Sequence, residues 1–258
     1  VNPRSNVLWG GLARFGYFAR GVVYLAIGGA AIAAALQARG KPLGPLGALK
    51  LVFRGPQGRW LILLVAVGLF SFAIFRLVSA GYARSKGFLV RAGDFVGGAA
   101  AALLGIGAVR LFAAGKAGGS GAKLAQAAAW LLRQAWGPRA LQAAGAVLAI
   151  AGALEVLQAA RSRFREDFVR RPMGPRLRRW AIGITRLGLL SHGALLLIAG
   201  GFCIAASRDA NPKEVLETGG VLRWVARQPY GGALLGSAAA GLIAYGLSLW
   251  ILARYRKA

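Results

Sequence analysis

Hydrophobicity along this chain rises and falls in six long waves. Apolar residues run almost unbroken over 12–36, 60–82, 88–112, 140–160, 181–206 and 232–253, and polar residues gather between the runs. Each run is about 22–26 residues, or roughly 33–39 Å as helix, which spans a bilayer once and not twice. The pattern predicts an all-α polytopic membrane protein with six transmembrane helices. The third and fourth runs, rich in Ala and Gly, are the least apolar, and several runs carry an Arg, Asp or Glu. The first run is too long for the apolar region of a signal peptide, and it recurs in kind at 88 and 181.

The polar stretches alternate in length. Long ones at 37–59, 113–139 and 207–231 are separated by shorter links at 83–87 and 161–180. The unit is therefore a pair of helices used three times, at approximately 8–84, 85–162 and 178–256, within one integral membrane domain covering 1–258. A phrase marks the first helix of each pair. "RFGYFARG" (14–21), "RAGDFVGG" (91–98) and "RLGLLSHG" (186–193) align without a gap. They share Arg14, Arg91 and Arg186, then Gly16, Gly93 and Gly188, then Gly21, Gly98 and Gly193. The seventh place varies: Arg20, Gly97, His192.

A second phrase opens the other helix of each pair: "RGPQGRW" (54–60), "RQAWGPR" (133–139) and "RQPYGGA" (227–233). Pro and Gly suit a helix start, where a missing N–H costs least. Upstream, "AKLAQAAAWLLRQAW" and "VLRWVARQ" look amphipathic and predict short helices along the membrane surface or packed over the bundle.

The triplicated R-x-G-x(4)-G phrase, the helix pair and the Pro/Gly turn before "LLGSAAAGLIAYGL" resemble the bacterial membrane family called domain of unknown function 1206. The resemblance covers essentially the whole chain and implies three copies of a two-helix unit. It implies no catalytic residues. The second repeat departs most, with Asp94 and Gly97 where the first has Tyr17 and Arg20.

Composition agrees with a membrane setting. Hydrophobic residues make up 57% of the 258 and charged residues 16%, with a mean hydropathy of +0.56 and 39 Gly. Soluble domains have roughly 45–50% apolar and about 25% charged residues. The net charge of +26 would suggest nucleic-acid binding in a soluble protein. Here its placement points to lipid instead, and no nucleic-acid partner is expected. Basic residues favour the face holding both termini and the links 83–87 and 161–180, so both termini are expected to be cytoplasmic in a bacterial inner membrane. The cluster "RSRFREDFVRRPMGPRLRR" on that face suits anionic headgroups or an acidic partner. Trp60, Trp130, Trp136 and Trp224 fall near the opposite interface.

Chemistry is sparse. One His, one Cys and one Met exclude an internal disulfide and a Cys/His metal cluster. No cofactor is expected; an axially held haem or chlorophyll would have only His192, which reads as a packed or hydrogen-bonded side chain. Phosphate-cradling and hydrolase motifs are absent. The sharper signal is four intramembrane charges, Arg20, Arg76, Asp94 and Glu155, which helix rise places at one depth. Two acids and two bases there should pair, Asp94 and Glu155 each with Arg20 or Arg76. The phrase Arg14/Arg91/Arg186 suggests a basic ring near the headgroups, either packed for close helix approach or converging on an anion or lipid headgroup.

These features favour a non-enzymatic accessory or scaffold subunit that packs against lipids or a larger membrane complex. The alternative is a small transporter or channel built on the charged layer. A membrane enzyme acting on lipid-linked substrates ranks last.

Overall fold

The computed structural model describes residues 3–36, 42–53, 55–82, 88–114, 120–161 and 174–255. Most of the basic link between the fourth and fifth apolar runs (162–173) and the Gly-rich stretch 115–119 lie outside them. The described elements are helices α1 (Pro3–Leu36), α2 (Pro45–Val52), α3 (Pro56–Tyr82), α4 (Phe88–Ala114), α5 (Ser120–Leu132), α6 (Gly137–Arg161), α7 (Pro175–Arg208), α8 (Thr218–Ala226) and α9 (Gly231–Tyr255). A single 3-10 turn (Pro212–Glu214) precedes α8. Pro45, Pro56 and Pro175 stand as the first residues of their helices, where the proline ring presets φ and its missing N–H is not needed.

The six long helices α1, α3, α4, α6, α7 and α9 coincide with the six apolar runs. Five contain stretches long and apolar enough to cross a membrane: Gly10–Leu36, Gly58–Gly81, Gly137–Arg161, Pro175–Arg208 and Gly231–Tyr255. Helix α4 has the length, at 27 residues, and carries an apolar stretch over Gly97–Ala113. The outward faces are apolar and exposed, carrying Leu64, Val67, Leu103, Leu190 and Leu197. A water-soluble bundle would place charged residues there, so this exposure belongs to a protein solvated by lipid.

Each long helix packs against the next, and α9 returns to α1, which closes a ring. Three seams are the closest: α3 with α4, α6 with α7, and α9 with α1. All three join one helix pair to the next. Glycine makes them possible. A Cβ at Gly193 would lie 2.7 Å from the Gly152 carbonyl oxygen, and one at Gly200 would lie 2.6 Å from that of Gly145. Gly246 stands in the same relation to the Gly21 carbonyl, at 2.9 Å, and Gly98 backs onto Leu77. Lipid offers no hydrophobic drive for helix association, so such backbone approach supplies the packing energy.

The seams within pairs are less close and unequal. Helix α1 meets α3 and α7 meets α9 through corresponding residues: a Cβ at Gly16 would lie 2.7 Å from Phe72 Cα, and one at Gly188 would lie 2.6 Å from Tyr245 Cα. One turn further on, Gly68 faces Ala19 and Gly241 faces Ser191. The second pair has Val147 where these have Gly68 and Gly241. Helices α4 and α6 touch only sparsely, and this is the loosest of the six seams.

The short helices close one end. The sequence pattern anticipated α5 and α8 but not α2. Helices α2 and α8 do not lie loosely on a surface: Ala48, Leu49, Val221 and Leu222 are buried in the main core with Ile27, Leu69 and Leu242. The start of α8 packs on the segment just before α2: a Cβ at Gly219 would meet the Gly44 backbone.

Candidate functional site

The ring encloses a cavity of about 550 Å³. Its apolar part is lined by Val23, Ile27, Leu69, Leu104, Leu195 and Leu196, and is roofed by Pro45, Thr218 and Val221. The other end is polar, lined by Arg20, Tyr24, Arg76, Asp94, Glu155 and His192. Helix periodicity puts these side chains on inward faces, and four of the long helices contribute charges to the layer: α1 (Arg20), α3 (Arg76), α4 (Asp94) and α6 (Glu155).

Two networks occupy the polar end. In the first, Arg76 pairs with Asp94 across the α3–α4 seam. Asp94 is buried, and the Arg76 guanidinium lies 5.3 Å from the Phe72 ring centre. In the second, His192 bridges two helices. Its Nδ1 lies 2.6 Å from Glu155 Oε2 on α6, and its Nε2 lies 2.8 Å from Tyr24 Oη on α1. The imidazole stacks on Tyr245 of α9, ring centres 4.1 Å apart and nearly parallel. Arg20 Nη2 donates to Tyr24 Oη at 3.3 Å. With a neutral imidazole, Nδ1–H donates to Glu155, Nε2 accepts from the Tyr24 hydroxyl, and Tyr24 accepts from Arg20. Every link then has a donor and an acceptor, and the chain runs Arg20–Tyr24–His192–Glu155 across three helices.

Arg20 has no carboxylate at ion-pair distance among the described residues. Aromatic rings surround it instead: Phe72 at 4.8 Å, Tyr24 at 5.4 Å and Tyr245 at 6.0 Å from the guanidinium carbon. Nearby, Thr185 is buried and lines the same cavity, yet its hydroxyl has no hydrogen-bond partner.

Pairing by depth therefore places Asp94 with Arg76 but not Glu155 with an arginine. The partner of Glu155 is His192, because the imidazole on α7 lies directly across the glycine seam Gly152/Gly193 from it. Helix rise gave the depth of Glu155, but which neighbour faces it depends on helix rotation. Tyr24 and Tyr245 were not singled out from the sequence. Their signal was present: each is a polar-tipped aromatic inside an apolar run.

Arg14, Arg91 and Arg186 are all exposed, and none lines the cavity. Arg91 Nε donates to the Ala80 carbonyl at 2.9 Å. Among the described residues, no group of three or more His, Cys, Asp or Glu is placed to hold a metal.

Residues 15–83 and 187–256, together more than half the chain, match the family described as Domain of Unknown Function (DUF1206). The chain belongs to this family. The matched stretches are the first and third helix pairs, which in this family member carry Arg20, Tyr24, His192 and Tyr245. The chain is also similar to a Bacillus subtilis (strain 168) protein described as "Uncharacterized protein YxxB", with 28% identity over 240 residues, 91% of this chain and 86% of that one. No solved structure matches.

Proposed function

We propose that this DUF1206 member is a carrier-type membrane protein that binds a ligand in the cavity at the centre of its helix ring. The observation that carries this reading is the Arg20–Tyr24–His192–Glu155 chain projecting into a cavity of about 550 Å³. A single bound small molecule needs roughly 300–1,000 Å³, mostly apolar with a few placed polar groups. Ionisable side chains at membrane depth are costly and mark ligand or proton pathways. A purely structural bundle would fill its axis with apolar side chains.

In this reading all six long helices span a bacterial inner membrane as three related pairs about a pseudo-threefold axis. The termini are cytoplasmic, and Arg14, Arg91 and Arg186 anchor to lipid headgroups. In this reading the protein is a carrier. A second reading, an accessory subunit of a larger membrane complex, is supported by glycines whose outer faces meet nothing: Gly29, Gly201, Gly232 and Gly236.

The test is to purify the protein from its native membrane and extract it for mass spectrometry, beside the Glu155→Gln/His192→Ala variant. A small molecule retained by the wild type, and at least about tenfold depleted in the variant, supports the carrier. Finding no such molecule, with another membrane protein present in stoichiometric amount, moves the assignment to the accessory subunit.

A further inference from the structure

The cavity is amphipathic along its length, and its wall is weakest on one side. We infer that its ligand is a long-chain carboxylate, entering sideways from the bilayer between α4 and α6; this rests on the cavity being a binding site.

Three observations converge. The first is an arginine with open donors. Arg20 carries five N–H donors and uses one on the Tyr24 hydroxyl, and among the described residues no carboxylate lies at ion-pair distance from it. The unpartnered Thr185 hydroxyl lines the same cavity. The second is the charge balance of the layer. Among the described side chains that line the cavity, two arginines, Arg20 and Arg76, stand with two carboxylates, Asp94 and Glu155. A single carboxylate adds one negative charge, which one proton taken up at His192 or Glu155 offsets. The third is the gap. At the seventh phrase position, where α1 has Arg20 and α7 has His192, α4 has Gly97, and a Cβ there would meet nothing within 4 Å. Gly97, Ala100 and Ala101 on α4 and Ala151 and Leu154 on α6 line the cavity on either side of the loosest seam. A chain in the bilayer meets an apolar slot there, with the polar head's partners inside at one end. The volume suits one chain, and a two-chain lipid would have to leave its second chain outside.

The experiment uses a diazirine-bearing palmitate in phosphatidylcholine nanodiscs holding the full-length protein, with labelled residues mapped by mass spectrometry. Labelling is expected on cavity-lining residues such as Leu104 and Leu196. It should be suppressed by palmitate and not by equal concentrations of acetate or hexadecanol. Arg20→Gln should lower labelling at least about tenfold, with Arg20→Lys recovering part of it. Gly97→Leu, which has open space for its side chain, should lower labelling while the protein stays monodisperse and as heat-stable as the wild type. Suppression by acetate as strong as by palmitate would mean a small soluble anion and overturn the inference, while the cavity remains a binding site. Equal suppression by hexadecanol would mean an apolar slot without anion recognition, which also overturns it. Undiminished labelling in Gly97→Leu removes the sideways entry.

Discussion

His192 on α7 and Glu155 on α6 are joined at 2.6 Å across a seam where the two helix backbones meet through Gly152 and Gly193. The close approach and the hydrogen bond depend on each other. Without glycine at the contact, α7 would stand too far off for an imidazole to reach Glu155.

The chain holds one histidine, so this contact has an unusually clean probe. Histidine-selective ¹⁵N labelling gives one imidazole spin system. Its two nitrogen resonances are expected to move when Glu155 becomes Gln, and again when Tyr24 becomes Phe. A spectrum unchanged by both substitutions would place His192 outside the chain of hydrogen bonds.

The Arg76–Asp94 pair is partly open to the cavity, with the Arg76 side chain 27% exposed. Breaking a fully buried pair costs roughly 3–5 kcal/mol. Here one partner is partly exposed, so Asp94→Asn is expected to cost less, about 1–3 kcal/mol in unfolding from detergent. In the double variant Arg76→Gln/Asp94→Asn the loss should be smaller than the sum of the single losses. Additive losses would show the two groups acting independently.

The glycine seams make a contrasting prediction. Gly193→Val forces a side chain against the Gly152 carbonyl, and overpacking of this kind costs roughly 1–3 kcal/mol or more. Gly236→Val meets nothing within 4 Å and is expected to stay within about 0.5 kcal/mol of the wild type. Thermal unfolding in one detergent compares the two directly. Equal effects would contradict the packing described for α6 and α7.

The orientation is open to labelling. With buried Cys203 replaced by Ala, single cysteines at Pro3, Gly118 and Arg256 are treated with a membrane-impermeant maleimide in sealed vesicles. Positions 3 and 256 are expected to react from one side and 118 from the other. Reaction of 118 from the same side as the termini would remove the six-span topology.

The exposed Arg14, Arg91 and Arg186 carry a separate expectation. Replacing all three by Gln should weaken association with anionic lipid by about 1 kcal/mol per residue, without affecting retention of the cavity ligand. Loss of the ligand in this variant would tie the outer arginines to the inner site.

The sequence alone was enough to place six long helices, because a run of about twenty apolar residues has few other stable forms. It also placed Arg20, Arg76, Asp94 and Glu155 at one depth, since helix rise converts residue number into height. It marked the glycines of the repeated phrase as contact points before any contact was visible. What it did not contain was rotation and distance between helices. Glu155 and Arg20 share a level, yet α6 turns Glu155 toward His192. The apolar run of α4 is interrupted by charges that only become intelligible once Asp94 is seen against Arg76. The loosest seam, between α4 and α6, exists only when the two helices are brought together. A cavity is a property of how helices are spaced around an axis, and no linear pattern records that spacing.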